Sequence, residues 1–259
     1  MSYAWMLTPA LVGMLTLVAN VILGRQVLKR GVIFIDLAMA QIAALGVLWV
    51  ELQAGHTTVG LWHKILASWV VTLPAALLLG SLERLVKQHL EAIIGLLYVT
   101  AACAAVVLVS SNPHGKELIT TLLNGRLLWS SSDDIWPVAL VTVGLVLVQI
   151  WRPIWLRGQG FYLLFALAIP PLVISLGVYL EFASLIIPAL VVAMWPTRHS
   201  WLVALSLGLT GGIAGFIASL FWDYPIGPSV VLAMVVTGLI ISAFNVARQK
   251  SIHSASQET

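Results

Sequence analysis

Residues 92–110 read AIIGLLYVTAACAAVVLVS, without one Asp, Glu, Lys or Arg. As a helix rising 1.5 Å per residue, this run is about 28 Å long, close to the roughly 30 Å of a bilayer's hydrocarbon core. The run is typical of its chain: of 259 residues, 60% are hydrophobic and only 9% charged, and the mean hydropathy is +1.02. A soluble protein carries about 25% charged residues to cover its outside. Thirteen Lys and Arg with ten Asp and Glu cannot do so here, which excludes a soluble enzyme. An outer-membrane barrel is excluded as well, because its strands alternate apolar and polar residues. Lipid offers backbone groups no hydrogen-bond partner, so the remaining fold class is all-α, a polytopic bundle of transmembrane helices.

Charges punctuate the chain on either side of this run. Before it, spans are predicted at 4–24, 32–50 and 65–82; after it, at 135–150, 161–180, 182–195, 201–222 and 228–246. That makes nine, or eight if the fourteen-residue run 182–195, about 21 Å long as a helix, does not cross. Pro170-Pro171 is expected to interrupt the sixth span, and a short interfacial helix is expected at 122–129 within the polar stretch 111–134. The first span has no basic stretch ahead of it and is read as retained, not as a cleaved leader. Residues 1–247 form a single membrane domain, and 248–259 a polar, disordered cytoplasmic tail.

Cationic residues orient the bundle. With nine crossings and the N-terminus outside, Arg25, Lys29, Arg30, Arg84, Lys87, Arg152, Arg157, Arg198, Arg248 and Lys250 fall inside. Only Lys64, Lys116 and Arg126 fall outside, the asymmetry that inner-membrane proteins show. Without a crossing at 182–195 the tally evens out. The net charge of +3 thus reports basic loops facing the cytoplasm, with no nucleic-acid partner implied. Trp49, Trp62, Trp129, Trp136, Trp151, Trp195, Trp201 and Trp222 fall near predicted span ends, at headgroup level. Gly208, Gly211, Gly215 and Ser219 form one small-residue face for close helix approach.

Chemistry is sought where charge is costly. Burying an ionisable group in a span costs about 2.5–3.5 kcal/mol on insertion scales, and two acids qualify. Asp36 lies in the second span with Met39, Ala40 and Ala43 on its face. It is either a contact for a passing cation or a residue that reaches the interface and pairs with Arg30. Glu181 sits between the sixth and seventh runs, either facing a cavity between broken helices or solvated in a loop. His56, His63 and His114 lack metal-ligand spacing and read as surface residues. The lone Cys103 excludes an intrachain disulfide, and there is no phosphate-binding loop for ATP.

Three stretches resemble the membrane permease of zinc/manganese-type ABC importers. Gly24 is followed six residues on by Arg30 and then by Gly46; Gly177 precedes Ser184-Leu185-Ile186-Ile187-Pro188-Ala189 at the family's spacing; and Asp223-Tyr224-Pro225-Ile226-Gly227-Pro228-Ser229 resembles the entry to the last helix. Leu122-Leu123-Asn124-Gly125 is similar to a weaker motif. The resemblance implies a homodimeric permease, a cytoplasmic ATPase dimer that uses the ATP, and an extracytoplasmic metal-binding protein. It implies zinc or manganese as cargo, no cofactor in this chain, and an inner-membrane location.

On this basis Asp36, Met39, Gln41 and Glu181 are expected along the translocation pathway, with Asp36 a metal contact. Asp223, Pro225, Gly227 and Pro228 would shape the external mouth. Two departures stand out. Where the family has Gly-Asp-x-Leu-x-His, this chain has Ile35-Asp36-Leu37-Ala38-Met39-Ala40-Gln41, so the acid is displaced by one residue and glutamine replaces histidine. Five residues separate Asp36 from Gln41, about 140° around a helix, so the two do not point together. The family's longer docking stretch is here reduced to the loop of Arg152 and Arg157, with Glu83, Arg84 and Lys87 as an alternative coupling surface. Two rival readings follow from these departures: a non-transporting assembly scaffold, and an importer of a chelated or organic substrate.

Overall fold

A computed structural model of the chain describes residues 6–55, 57–196 and 199–255; of Lys87 and of 248–255 it describes the backbone alone. His56 and Arg198 lie outside the described residues. Eleven α-helices follow one another: α1 Leu7–Arg30, α2 Ile35–Ala54, α3 Leu61–Leu85, α4 Leu90–Val109, α5 Gly115–Asn124, α6 Ser132–Trp151, α7 Pro153–Arg157, α8 Gly160–Leu176, α9 Val178–Met194, α10 Ser200–Trp222 and α11 Ile226–Ala255. No strand occurs among the described residues. Seven of these helices, α1–α4, α6, α10 and α11, are long and apolar enough to cross a bilayer.

Helix ends follow local chemistry more than hydropathy. The basic cluster expected in a loop is the last turn of α1, where Lys29 and Arg30 complement the helix dipole. Gly31, at φ +69°, closes it with Gly31 N–H to Leu28 O and Val32 N–H to Val27 O. Ser131 and Asp134 form a capping box that starts α6 three residues before the predicted position and accounts for the buried Asp134. The short helix expected at 122–129 starts earlier, as α5, which ends at Asn124 and leaves only a 3₁₀ turn at Leu127–Trp129. The last helix continues through Ala255, eight residues into the stretch assigned to a disordered tail.

The largest difference concerns the sixth and seventh spans. Pro170 and Pro171 do not interrupt α8, which ends instead at Gly177, φ +80°. Each proline deprives the carbonyl four residues earlier of its helical donor. Both carbonyls are captured by α3: Thr72 Oγ1 donates to Ala166 O at 3.3 Å and Trp69 Nε1 to Leu167 O at 3.1 Å. The true break bends α8 against α9 by 117°. Glu181 therefore lies within the first turn of α9 and not in a loop. Both ends of this hairpin return to the C-terminal end of α1: Arg30 donates to the Gly158 carbonyl ahead of α8, while Ala189 and Val192 of α9 line a groove with Arg25 and Lys29. The hairpin therefore enters and leaves at one end of the bundle.

Glycines of the quoted motifs mark backbone contacts. A Cβ on Gly24 would overlap the Leu185 carbonyl of α9, and one on Gly46 would collide with Ala67 and Ser68 of α3. Gly125, Gly177 and Gly227 converge on one point, where a Cβ on Gly177 would overlap Gly125 N and one on Gly227 would overlap Asn124 O. On the expected small-residue face, Gly211 and Gly215 of α10 admit Met234 and Val230 of α11. Trp49, Trp62, Trp129, Trp136, Trp151 and Trp222 are exposed near helix ends, as anchoring requires.

Candidate translocation site

Two acids are completely buried in the bundle, one on α9 and one on α2. Glu181 is 0% exposed in the first turn of α9, and Asp36 is 0% exposed in the first turn of α2. Helix N-termini carry partial positive charge and favour carboxylates. Yet neither acid makes a hydrogen bond: both Asp36 oxygens and both Glu181 oxygens are buried without a partner. α2, which carries Asp36, packs against α9, which carries Glu181. A buried carboxylate without a counter-ion costs several kcal/mol, so each acid is stabilised by taking up either a proton or a cation.

Asn20, absent from the sequence expectations, completes the cluster from α1. It is 0% exposed and lies beside Glu181. Its Nδ2 donates to Ser184 Oγ at 2.8 Å, and Ser184 Oγ donates to the Glu181 carbonyl at 3.1 Å. Its Oδ1 is buried and unpartnered. The available signal was a lone amide in an otherwise apolar, charge-free span, which charge-based reading passes over. Among the described residues no three His, Cys, Asp or Glu side chains converge.

The remaining candidates fall in three places. Met39 and Gln41 are buried on α2, and Gln41 makes no hydrogen bond to Asp36, in keeping with their angular separation. Asp223 ends α10 in the left-handed region, φ 53°, and with exposed Pro225 forms the turn into α11, where Gly227 is buried against Asn124. Arg152 and Arg157, both exposed, flank α7. Exposed Arg84 lines a groove of about 740 Å³ between α3 and the α7–α8 junction, also walled by Trp155, Gln159 and Tyr162.

Arg30 does not pair with Asp36. It donates to Glu83 Oε1 at 2.9 Å and to the carbonyls of Arg157 and Gly158 at 2.8 and 2.6 Å, over the ring of Phe161. Glu83 also accepts from Gln159. These residues tie α1, α3 and α7–α8 together at one end of the bundle. His63 and His114 are exposed and distant in sequence from the acids, as surface residues.

The profile of the ABC 3 transport family matches residues 2–158, more than half of the chain. The chain belongs to the ABC 3 transport family. It is accordingly the membrane subunit of a transporter and not itself a catalyst. Its fold is similar to that of a solved structure titled PsaBC from Streptococcus pneumoniae in complex with Fab, with a TM-score of 0.69 over 93% of this chain and 91% of that one, at 17% identity. No curated protein matches the sequence. The family match stops before α8, so the permease's Glu181 and Ser184 lie beyond it.

Proposed function

We propose that this permease carries a divalent metal ion inward, as a homodimer powered by a separate cytoplasmic ATPase dimer and supplied by an extracytoplasmic metal-binding protein. The observation that carries this reading is the pair of buried, unpartnered carboxylates, Asp36 and Glu181, at the starts of two helices. Helices that begin within the bundle are a recurrent way to build transport sites. An ion bound by few groups also departs readily, as permeation requires. Two buried acids without partners favour a cation pathway over a degenerate scaffold, which has no use for ionisable groups inside a bundle.

In this reading the N-terminus is outside and the C-terminus inside, with nine passages counting α8 and α9 separately, in the inner membrane. The Arg30–Glu83–α7 end faces the cytoplasm, where Arg84, Lys87, Arg152 and Arg157 meet the ATPase, and the Asp223–Pro228 turn lies at the external mouth. The test is zinc and manganese uptake by vesicles reconstituted with the partner subunits. Asp36→Asn should abolish uptake without lowering membrane insertion; unchanged uptake would refute the role given to Asp36.

A further inference from the structure

The end of the bundle that Arg30 ties together also carries two cations with no carboxylate to answer them. Arg30 is fully engaged, by Glu83 and by two carbonyls. Arg25 and Lys29, one turn apart on the same helix, form no ion pair among the described residues. Both line a groove of about 290 Å³, whose other walls include Val192 and Ala193 of α9, Pro196, and Ser200 at the start of α10. No Asp or Glu lines this groove. Its positive charge is uncompensated and complements an anion.

The surroundings of the groove decide the kind of anion. Ala193 in its wall is exposed, and so are two large apolar side chains close by in the chain, Met194 at 54% and Leu202 at 62%. Trp195, beside Pro196, keeps its indole N–H buried without an acceptor, and tryptophan at the end of a span marks the headgroup level. A small free anion gains nothing from the apolar rim, whereas a phospholipid meets the cations with its phosphate and the rim with its chains. The volume is just short of the roughly 300–1,000 Å³ of small-molecule sites, which suits a headgroup whose acyl chains stay outside.

We propose that this groove holds the headgroup of an anionic phospholipid, with Arg25 and Lys29 on its phosphate. Basic pockets between transmembrane helices are suited to such headgroups. The bound lipid bridges the ends of α1, α9 and α10, and in the orientation given above it comes from the cytoplasmic leaflet. The site does not depend on the cargo of the permease.

The test is native mass spectrometry of the full chain in a neutral detergent, with phosphatidylglycerol or phosphatidylcholine of identical acyl chains added. The native chain should bind phosphatidylglycerol at least about tenfold more tightly. Arg25→Gln and Lys29→Gln should each weaken that binding about fivefold and leave phosphatidylcholine unchanged. Arg152→Gln, which removes an exposed cation outside the groove, should leave the preference intact. Equal binding of the two lipids by the native chain would overturn the proposal without recourse to any variant, and a preference that survives the double substitution would overturn the location. Displacement by glycerol 3-phosphate, which has the phosphate but no chains, would make this a free-anion site and refute the lipid. Adducts on the monomer but never on the dimer would make the groove a contact between two copies and do the same. No metal or partner subunit enters the measurement, so a failure of metal import leaves this site standing, and a failure of lipid binding leaves the import reading untouched.

Discussion

Thr72→Val is nearly isosteric and removes the hydroxyl that holds the Ala166 carbonyl, an acceptor orphaned by Pro170. An orphaned buried carbonyl costs about 1–3 kcal/mol, but hydrogen bonds between membrane helices average only about 0.6 kcal/mol. The observed 3.3 Å is also longer than the usual hydroxyl bond of about 2.7–2.8 Å. The expected destabilisation is therefore about 0.5–1 kcal/mol. The sharper test is a double-mutant cycle with Pro170→Ala, which restores an N–H to serve the Ala166 carbonyl within α8. In that background Thr72→Val should cost almost nothing, giving a coupling of about 0.5–1 kcal/mol. Reversible unfolding in mixed micelles titrated with dodecyl sulfate supplies the midpoints. Equal costs in both backgrounds would show that Thr72 merely packs, and the account of why two prolines fail to break α8 would fall.

Gly177→Ala places a Cβ onto Gly125 N at a positive φ, so it should prevent accumulation of folded protein, while Gly212→Ala, with nothing within 4 Å, should be neutral in the same expression and detergent-stability assay. Arg30→Lys keeps the charge but not the fork that serves Glu83 and two carbonyls. It should cost about 1–2 kcal/mol in unfolding midpoint, and a smaller effect than Glu83→Gln would contradict the geometry. Glu181→Gln should cut metal uptake as severely as Asp36→Asn without lowering thermal stability, since the Glu181 oxygens have no hydrogen-bond partner to lose. A large loss of stability would mean that Glu181 has a partner in the folded protein.

Much of the fold was legible because a membrane protein writes its topology in its charges. Asp and Glu, Lys and Arg bounded most helices to within a few residues, and the small-residue face of α10 is closely approached, by α1 at Gly208 and by α11 at Gly211 and Gly215. What escaped were the long-range compensations. The prolines of α8 read locally as a break, and only Trp69 and Thr72, some hundred residues earlier, cancel that reading. The break came at Gly177, whose conformation answers to Gly125 across the fold. Of the site, the two acids were visible as misplaced charges. Asn20 was not, because a neutral amide is cheap enough in a span to pass unnoticed until its neighbours are known.

The meeting of Gly125, Gly177 and Gly227 has a consequence for how such chains vary. Three segments distant in sequence touch there through main chain alone, and no side chain stands between them to absorb a mismatch. A recombinant joining the first half of one relative to the second half of another would import two of these surfaces without the third. The three segments should therefore be inherited together, and a chimera that keeps them from a single parent should assemble where a cut between them fails.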